Sequence, residues 1–196
     1  MIRLIFATNN AHKVEEIQQT IGTKITVISL KDAGIDIDIP EPHDTLEANA
    51  TEKSRTIWGL TRVNCFSEDT GLEVEALQGE PGVKSARYAD GDQAFDNNID
   101  KLLHKLGNNP NRRARFRTVI SLIWEGQEYQ FEGICEGTII PERKGSGGFG
   151  YDPVFVPAGS NLTFGEMSLE EKGRMSHRRK AADKLVSFLQ EMVLHT

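Results

Sequence analysis

Residues 2–16 read IRLIFATNNAHKVEE, an apolar run followed by a polar turn and a helical pattern. The run at 2–7 predicts a strand. Apolar residues then recur at helical spacing, which predicts a helix from about Ala11 to the stop signal at Gly22. A second apolar run, ITVISL at 25–30, predicts the next strand. This strand–helix–strand unit indicates the α/β class.

The turn between the first strand and the first helix has a composition suited to polyphosphate. Thr8 carries a hydroxyl, Asn9 and Asn10 carry amides, and Lys13 adds a positive charge in the first helical turn. A helix N-terminus attracts anions because its first N–H groups lack intrahelical partners and the helix dipole is positive there. The segment lacks G-x-x-x-x-G-K-[ST], so it is not a P-loop. An ordinary polar turn is the alternative interpretation.

The rest of the chain alternates helical and strand patterns without a repeat or a long linker. Further helices are predicted to begin near Asp44, Asp92, Ser168 and Ser176. Further strands are predicted at 63–67, 114–124 and 128–140, the last two forming a hairpin. We therefore expect one domain, residues 1–196, with a mixed sheet, flanking helices and a second lobe built on the hairpin. A cleft between the lobes is the expected ligand site.

Composition excludes several classes of protein. The 196 residues are 38% hydrophobic, which suffices for one sizeable core. The net charge of −6 argues against a protein that coats nucleic acid. No apolar run is long enough to cross a bilayer. The chain begins with a strand, so we expect no signal peptide and a cytoplasmic location. Cys65 and Cys135 are expected to be buried thiols, and no Cys/His spacing suggests zinc.

Acidic residues follow the predicted strand at 63–67. Glu68 and Asp69 are consecutive, and Glu41 lies in a proline-bearing loop. Open α/β sheets bind ligands beyond the carboxyl ends of their strands. Mg²⁺ prefers hard oxygen ligands and usually engages one or two carboxylates together with substrate phosphates. The pattern is consistent with a magnesium site; solvated turn residues are the alternative.

A glycine-rich loop lies near the C-terminal third of the chain. Residues 145–150 read GSGGFG and match G-x-G-x-x-G, but charged residues precede them and strand-like YDPVF follows. The dinucleotide motif needs a strand before it and a helix after it, so we reject that interpretation. A flexible loop with Phe149 or Tyr151 stacked on a base fits better. A tight hairpin connection is the alternative.

Two groups of basic residues stand out. Lys172, His177 and Arg178 cluster around the start of the last helix and have donors for a base carbonyl or a phosphate. The run at 112–117, RRARFR, places arginines at alternate positions, as a nucleic-acid-binding strand would. The alternative for both groups is a solvated surface, and the acidic net charge favours it for the arginine run.

Seven segments together resemble the inosine/xanthosine triphosphate pyrophosphatase family. In chain order they are FATNNAHKVEE, IPE, EANATEKS, EDTGLEVEALQGEPGVKSARYA, GGFGYDPVF, TFGEMSLEEK and MSHRRKA. Each is modest alone, but their shared order is specific. The resemblance implies an elongated mixed α/β fold with two lobes around a central cleft, usually a homodimer. It also implies Mg²⁺-dependent hydrolysis of deaminated purine nucleoside triphosphates (ITP, dITP, XTP) to the monophosphate and pyrophosphate, which cleanses the nucleotide pool.

The resemblance also implies roles for individual residues. The phosphates would be held by Thr8, Asn9, Asn10, Ala11, His12 and Lys13, with Lys53 reaching them from its helix. The metal would be held by Glu41 and Asp69, with Asp69 also accepting the proton of the attacking water. The purine and sugar would be held by Phe149, Gly150, Tyr151, Asp152, Lys172, His177 and Arg178. In the substrate site Thr70 replaces a usual serine; Asn9 replaces a common glycine, and Lys84 a frequent aromatic residue.

Two rival functions stay open at this level. One is a related pyrophosphatase with another base preference, such as a modified pyrimidine. The other is a non-catalytic module that binds nucleotide or nucleic acid through the arginine run. The residues alone also leave open whether Glu68 or Asp69 accepts the proton.

Overall fold

The structure is a computed structural model that describes residues 2–22 and 25–194. Its strands are β1 (Ile2–Phe6), β2 (Ile25–Ser29), β3 (Cys65–Val74), β4 (Pro81–Gly82), β5 (Arg113–Trp124), β6 (Gln127–Ile139) and β7 (Phe155–Pro157). Its helices are α1 (Ala11–Ile21), α2 (Leu46–Thr61), α3 (Asn98–Leu106), α4 (Leu169–Gly173) and α5 (His177–Leu194). Short 3-10 turns span Glu75–Leu77, Ser85–Arg87 and Asp152–Val154.

The seven strands form one mixed sheet. Its order is β2-β1-β3-β5-β6-β7, with β4 paired to β3 off this path. Strand β1 pairs in parallel with β2 and with β3, whereas β4 and β7 pair antiparallel to β3 and β6. The parallel pairs need helical crossovers, which α1 and α2 supply. The predicted α/β class with a mixed sheet and flanking helices is confirmed.

The predicted hairpin is present as β5 and β6. A two-residue turn joins them, and both of its residues, Glu125 and Gly126, have positive φ (51° and 84°). Two consecutive positive φ values are typical of the type I′ turn that suits a twisted two-stranded ribbon.

Three predicted boundaries are wrong. Strand β3 continues to Val74, so the acidic pair lies inside a strand and not in a turn after it. Helix α2 is capped by Thr45, whose hydroxyl accepts from the Ala48 N–H, and not by Asp44. Helix α3 begins at Asn98, because the Asn97 side chain caps it. In each case a local side-chain contact or tertiary pairing overrode the composition signal.

The chain divides into two compact units. The first comprises Met1–Asp69, Thr118–Gly133 and His177–Thr196, and the second Thr70–Arg117 and Ile134–Ser176. Each has its own buried apolar core. In the first unit, Phe6 and Phe66 stack with ring centroids 4.4 Å apart. In the second, aromatic rings on three segments meet, with Phe116 and Phe155 at 4.6 Å.

None of the described helices is both long enough and apolar enough to cross a bilayer.

Candidate active site

The polar turn after β1 is organised by its own side chains. Asn10 caps α1, since its Oδ1 accepts from the N–H groups of His12 (3.0 Å) and Lys13 (3.3 Å). The Thr8 hydroxyl accepts from the Asn10 N–H at 3.1 Å. Three N–H groups at the helix start are therefore already bonded within the turn. The dipole of α1 and the Lys13 ammonium also attract an anion to this turn.

Asn9 departs from the glycine common in the resembling family without distorting this turn. The φ of Asn9 is not positive, so its backbone conformation does not require a glycine. The exposed Asn9 amide donates to the Ile37 carbonyl at 3.3 Å, across to the loop before α2.

A buried ionic network lies behind the turn, within the first unit. The Arg178 guanidinium donates to both oxygens of Glu68 (Nε to Oε2 2.7 Å, Nη2 to Oε1 2.8 Å) and, through Nη1, to Glu16. Lys13 Nζ lies 3.1 Å from Glu68 Oε1. Arg178 and Glu68 are each only 1% exposed. A bidentate pair of this kind fixes both side chains, and two cations face two carboxylates.

The network decides the protonation state of Glu68. Burial alone would raise the pKa of Glu68, but the charges and hydrogen bonds of Arg178 and Lys13 outweigh it and hold that pKa well below its usual range. Glu68 is therefore ionised at neutral pH, with both oxygens engaged. Such a carboxylate is a poor proton acceptor and a good support for the two cations.

The second ionic cluster of the first unit contains the predicted metal ligands. Lys53 is a buried residue on α2, and its Nζ lies 2.5 Å from Glu41 Oε1 and 3.7 Å from Asp69 Oδ1. Burial and the Glu41 charge raise the pKa of Asp69, and the opposing effects of Lys53 and Lys13 do not cancel them. A carboxylate with a raised pKa is a better proton acceptor at neutral pH than Glu68.

The donor chemistry of this cluster fits Mg²⁺. Two carboxylates, Glu41 and Asp69, already share one cation in the form of the Lys53 ammonium. No group of three or more His, Cys, Asp or Glu side chains suited to a metal occurs among residues 2–22 and 25–194. Two carboxylates are nevertheless the usual protein contribution to Mg²⁺ beside a nucleotide, because phosphate oxygens complete its coordination.

The second unit assembles three of the residues that the resemblance assigns to the purine. Asp152 Oδ2 accepts from Lys172 Nζ at 2.7 Å and from the Phe149 N–H at 3.0 Å. Lys172 Nζ also lies 5.0 Å from the centroid of the Phe149 ring. Asp152 and Lys172 are buried, whereas Phe149 is half-buried. The result is an aromatic ring with a fixed cation over one face.

Tyr151 lies apart from these three residues. Its ring belongs to the apolar core of the second unit, and its hydroxyl donates to the Ser85 carbonyl at 2.7 Å. Burial raises the pKa of Tyr151 well above its ordinary value. Of the two rings considered for stacking, Phe149 is the one with exposed surface.

The remaining predicted residues are placed as follows. Gly150 is exposed with φ +60°, and Thr70 is half-buried within β3. His177 is buried at the first position of α5, next to Arg178. Lys84 is exposed and precedes the 3-10 turn Ser85–Arg87.

Glycines in the 145–150 loop are required by the chain's own packing. A Cβ on Gly145 would lie 2.1 Å from the Gly165 carbonyl carbon, and one on Gly148 would lie 2.0 Å from Asp152 Oδ2. Both also have positive φ (83° and 67°). The loop is thus held against the second unit, and Gly148 is the position that lets Asp152 reach the Phe149 N–H.

The arginine run is engaged within the second unit. Arg115 Nε and Arg117 Nη1 contact Glu73 at 2.7 and 3.2 Å, and Arg112 donates to the carbonyls of Gly107 and Ile139. The predicted alternation is confirmed, because Ala114 and Phe116 between them are buried. The residues act as a partly neutralised strand face.

The sequence patterns do not identify two buried polar residues of the first unit, Glu16 and Asn49. Glu16 lies three residues after Lys13 and therefore on the same face of α1, a spacing visible in the sequence. Asn49 is a buried amide inside α2, where asparagine is disfavoured as a helix former. A polar residue at an apolar position of the α2 pattern was the available signal.

Known proteins resemble this chain along nearly its whole length. The sequence model of the Ham1 family matches residues 4–188. The dITP/XTP pyrophosphatase of Porphyromonas gingivalis is 50% identical over 190 residues, covering 96% of this chain and 98% of that protein. That of Flavobacterium johnsoniae is 47% identical over 188 residues, covering 96% and 98%. The structure of the Staphylococcus aureus Ham1 protein superposes with a TM-score of 0.85 at 38% identity, covering 97% and 99%.

Proposed function

Because the chain belongs to the Ham1 family, we propose that it hydrolyses deaminated purine nucleoside triphosphates to the monophosphate and pyrophosphate. The substrates are ITP, dITP and XTP. The observation that carries the proposal is the carboxylate–lysine cluster of Asp69, Glu41 and Lys53, near Lys13 in the first turn of α1. Relatives that bear the dITP/XTP pyrophosphatase name support it at 47–50% identity.

The chain's own cations would hold the phosphates. Lys13 is oriented by Glu68 at 3.1 Å and keeps part of its side chain exposed. Lys53 projects from α2 toward Asp69. Two ammonium groups near a polyphosphate offset charge that grows on pyrophosphate as it leaves. We assign Thr8, Asn9, Asn10, Ala11 and His12 to the same phosphates.

Asp69 would accept the proton of the water that attacks the α-phosphorus. Its raised pKa suits it to this role, and Glu68 is unsuited because its own pKa is held low. Lys53 Nζ, 3.7 Å from Asp69 Oδ1, favours the ionised form of Asp69.

We further propose Mg²⁺ as the cofactor, held by Glu41 and Asp69. When bound, it supplies charge neutralisation at the phosphate oxygens. The support is the chemistry of the two carboxylates and the single shared cation described above.

Base selection would follow from donors placed against the C6 substituent. Hypoxanthine and xanthine carry an acceptor oxygen there, whereas adenine carries a donor amino group. On the resemblance to the pyrophosphatase family, we assign His177, Arg178 and backbone N–H groups to that oxygen. An opposed buried polar group costs about 1–3 kcal/mol. Two mismatches then give discrimination against ATP on the order of 10²-fold in kcat/KM.

Product analysis tests the proposal. With Mg²⁺, ITP should give IMP and pyrophosphate in one step, with no IDP intermediate. Chromatography of early time points separates the two outcomes, and ATP in parallel reports the base selectivity. Primary formation of IDP and orthophosphate would overturn the assignment of the scissile bond, and equal kcat/KM for ITP and ATP would overturn the base-reading roles.

We also propose that the chain is a homodimer, on its resemblance to the pyrophosphatase family. Sedimentation equilibrium at micromolar concentration should give twice the mass of the 21.8 kDa chain. A mass of one chain across that range would contradict it.

A further inference from the structure

Asn49 is a buried amide that none of the roles above uses. It lies in the first two turns of α2 and is 1% exposed. Burying an amide is costly unless its donors and acceptor all find partners. The partners of Asn49 therefore indicate what it is retained for.

The Asn49 amide holds both backbone polar groups of one loop residue. Its Oδ1 accepts from the His43 N–H at 3.0 Å, and its Nδ2 donates to the His43 carbonyl at 3.2 Å. The amide therefore ties the backbone of His43 to helix α2 by two hydrogen bonds.

The loop fixed in this way carries Glu41. Residues 35–42 have no helix or strand assignment, and Glu41 is only two residues before His43. This part of the loop also makes the Glu41–Lys53 ion pair and the exposed His43–Glu52 pair at 3.4 Å. A flexible loop can hold one carboxylate at a set distance from another only when its backbone is fixed.

We propose that Asn49 is a positioning residue for the reaction: its amide fixes the Glu41 loop to α2, the helix whose Lys53 contacts both Glu41 and Asp69, and so sets the spacing of the two carboxylates. The inference rests on the proposed function for its catalytic meaning, but its structural part does not. In metal sites, residues that do not touch the metal commonly orient the ligands that do. Asn49 would have this role for Glu41.

The test replaces Asn49 by Ala and compares it with Asn64→Ala. Asn64 is a half-buried amide of the same unit that immediately precedes β3, and it also bonds to a backbone group, because its Oδ1 accepts from the Glu125 N–H at 2.8 Å. Thermal unfolding of both variants corrects for general loss of stability. Asn49→Ser is made as well, because its shorter side chain keeps a polar group in the position.

Two measurements test the inference in the absence of nucleotide. Mn²⁺, a spectroscopic substitute for Mg²⁺, is titrated and free ion is measured by electron paramagnetic resonance. The Kd of Asn49→Ala should rise about 10–100-fold, and that of Asn64→Ala should stay at the wild-type value. Amide hydrogen exchange by NMR should show faster exchange of the His43 N–H in both Asn49 variants only.

A kinetic split completes the test. Asn49→Ala should lower kcat for ITP about 10–100-fold while KM stays near the wild-type value. The reason is that the polar turn after β1 and Lys13, which would bind the phosphates, are unchanged. Wild-type His43 exchange in folded Asn49→Ala and Asn49→Ser would overturn the inference. So would a wild-type Kd for Mn²⁺.

Failure of the proposed function can be told apart from failure of this inference. If the proposed function is wrong, the wild-type protein will neither bind Mn²⁺ nor cleave ITP. The hydrogen-exchange measurement does not depend on either activity. Slow His43 exchange in wild type and fast exchange in the variants would then still establish the positioning contact.

Discussion

Glu68 and Asp69 are consecutive carboxylates with opposite electrostatic surroundings. Successive residues of a strand project to opposite faces, so β3 directs one toward Arg178 and the other toward Lys53. Paired cations lower the pKa of Glu68 despite its burial, whereas burial and the Glu41 charge raise that of Asp69. Environments that separate two pKa values in this way commonly separate two roles.

The Asp69→Asn variant should lose activity and keep its fold. We expect kcat for ITP to fall at least about 10²-fold, since the proton acceptor is gone. Asp69 has a raised folded-state pKa, so its ionisation opposes folding at neutral pH, and the neutral amide should leave the free energy of unfolding equal or higher. Stopped assays and urea denaturation measure both. Near-normal turnover would show that Asp69 is not the acceptor.

Glu68→Gln, unlike Asp69→Asn, should strongly lower the stability of the fold. It leaves the buried Arg178 guanidinium with one carboxylate in place of two, and breaking a buried pair costs about 3–5 kcal/mol. We expect a much lower urea midpoint than for Asp69→Asn. A midpoint equal to wild type would mean that Glu68 contributes nothing to the fold.

At the level of elements, helix α5 reaches its position through a glycine on β6. A Cβ on Gly133 would lie 2.0 Å from the His177 carbonyl oxygen and 2.5 Å from the Ala181 nitrogen. Backbone atoms cannot swing aside as a flexible side chain would. The first turn of α5, which carries His177 and Arg178, is therefore positioned by the absence of a side chain on the strand.

Gly133→Ala should thus displace the start of α5. We expect a loss of about 1–3 kcal/mol in the free energy of unfolding, and lower kcat/KM for ITP. Gly59→Ala is the matched control, because Gly59 lies within α2 with nothing within 4 Å of a new Cβ. That change should stabilise by about 0.5–1 kcal/mol through helix propensity. Equal effects of the two changes would contradict the close-packing argument.

At the level of the whole molecule, buried carboxylates set the response to acid. A group whose folded-state pKa is lowered contributes stability above its unfolded pKa, which is lost as the pH falls through the folded value. Glu68 is such a group, and Glu128 is another, its pKa held low by Thr51, Ser121 and Arg55 against burial.

The melting temperature should consequently fall as the pH drops below about 4.3, the ordinary glutamate pKa. Differential scanning calorimetry from pH 7 to pH 2 measures this. The slope should be smaller in Glu68→Gln, which lacks the largest of these contributions. Parallel profiles for wild type and variant would show that Glu68 has no lowered pKa.

The charge distribution of the whole chain also bears on nucleic acid. The net charge is −6, and Arg115 and Arg117 already face Glu73. We expect no tight binding to RNA or DNA in a mobility-shift assay near physiological salt. Salt-sensitive binding that Arg113→Ala weakens would instead support the rival binding module.

Local pattern was sufficient for most elements of this protein. The strand, turn and helix of residues 2–22, the hairpin of β5 and β6, and the Ser168 capping box with Glu171 are all encoded in neighbouring residues. They follow from apolar periodicity, capping side chains and turn glycines, which act over a few residues. The acidic pair, Glu41 and Lys13 are identified by residue type and order, whereas Lys53 is identified by the resemblance to the pyrophosphatase family.

Tertiary structure alone decided how those residues are used. Glu68 and Arg178 are 110 residues apart, and Gly133 meets His177 across the first unit. No local pattern predicts that β3 continues past the acids, because burying two carboxylates in a strand is unfavourable until distant cations compensate them. The sequence by itself therefore determined which elements form and which side chains carry charge. Long-range pairing determined which carboxylate is held ionised, which is raised in pKa, and where α5 begins, since Coulomb energies and close packing depend on distances in space.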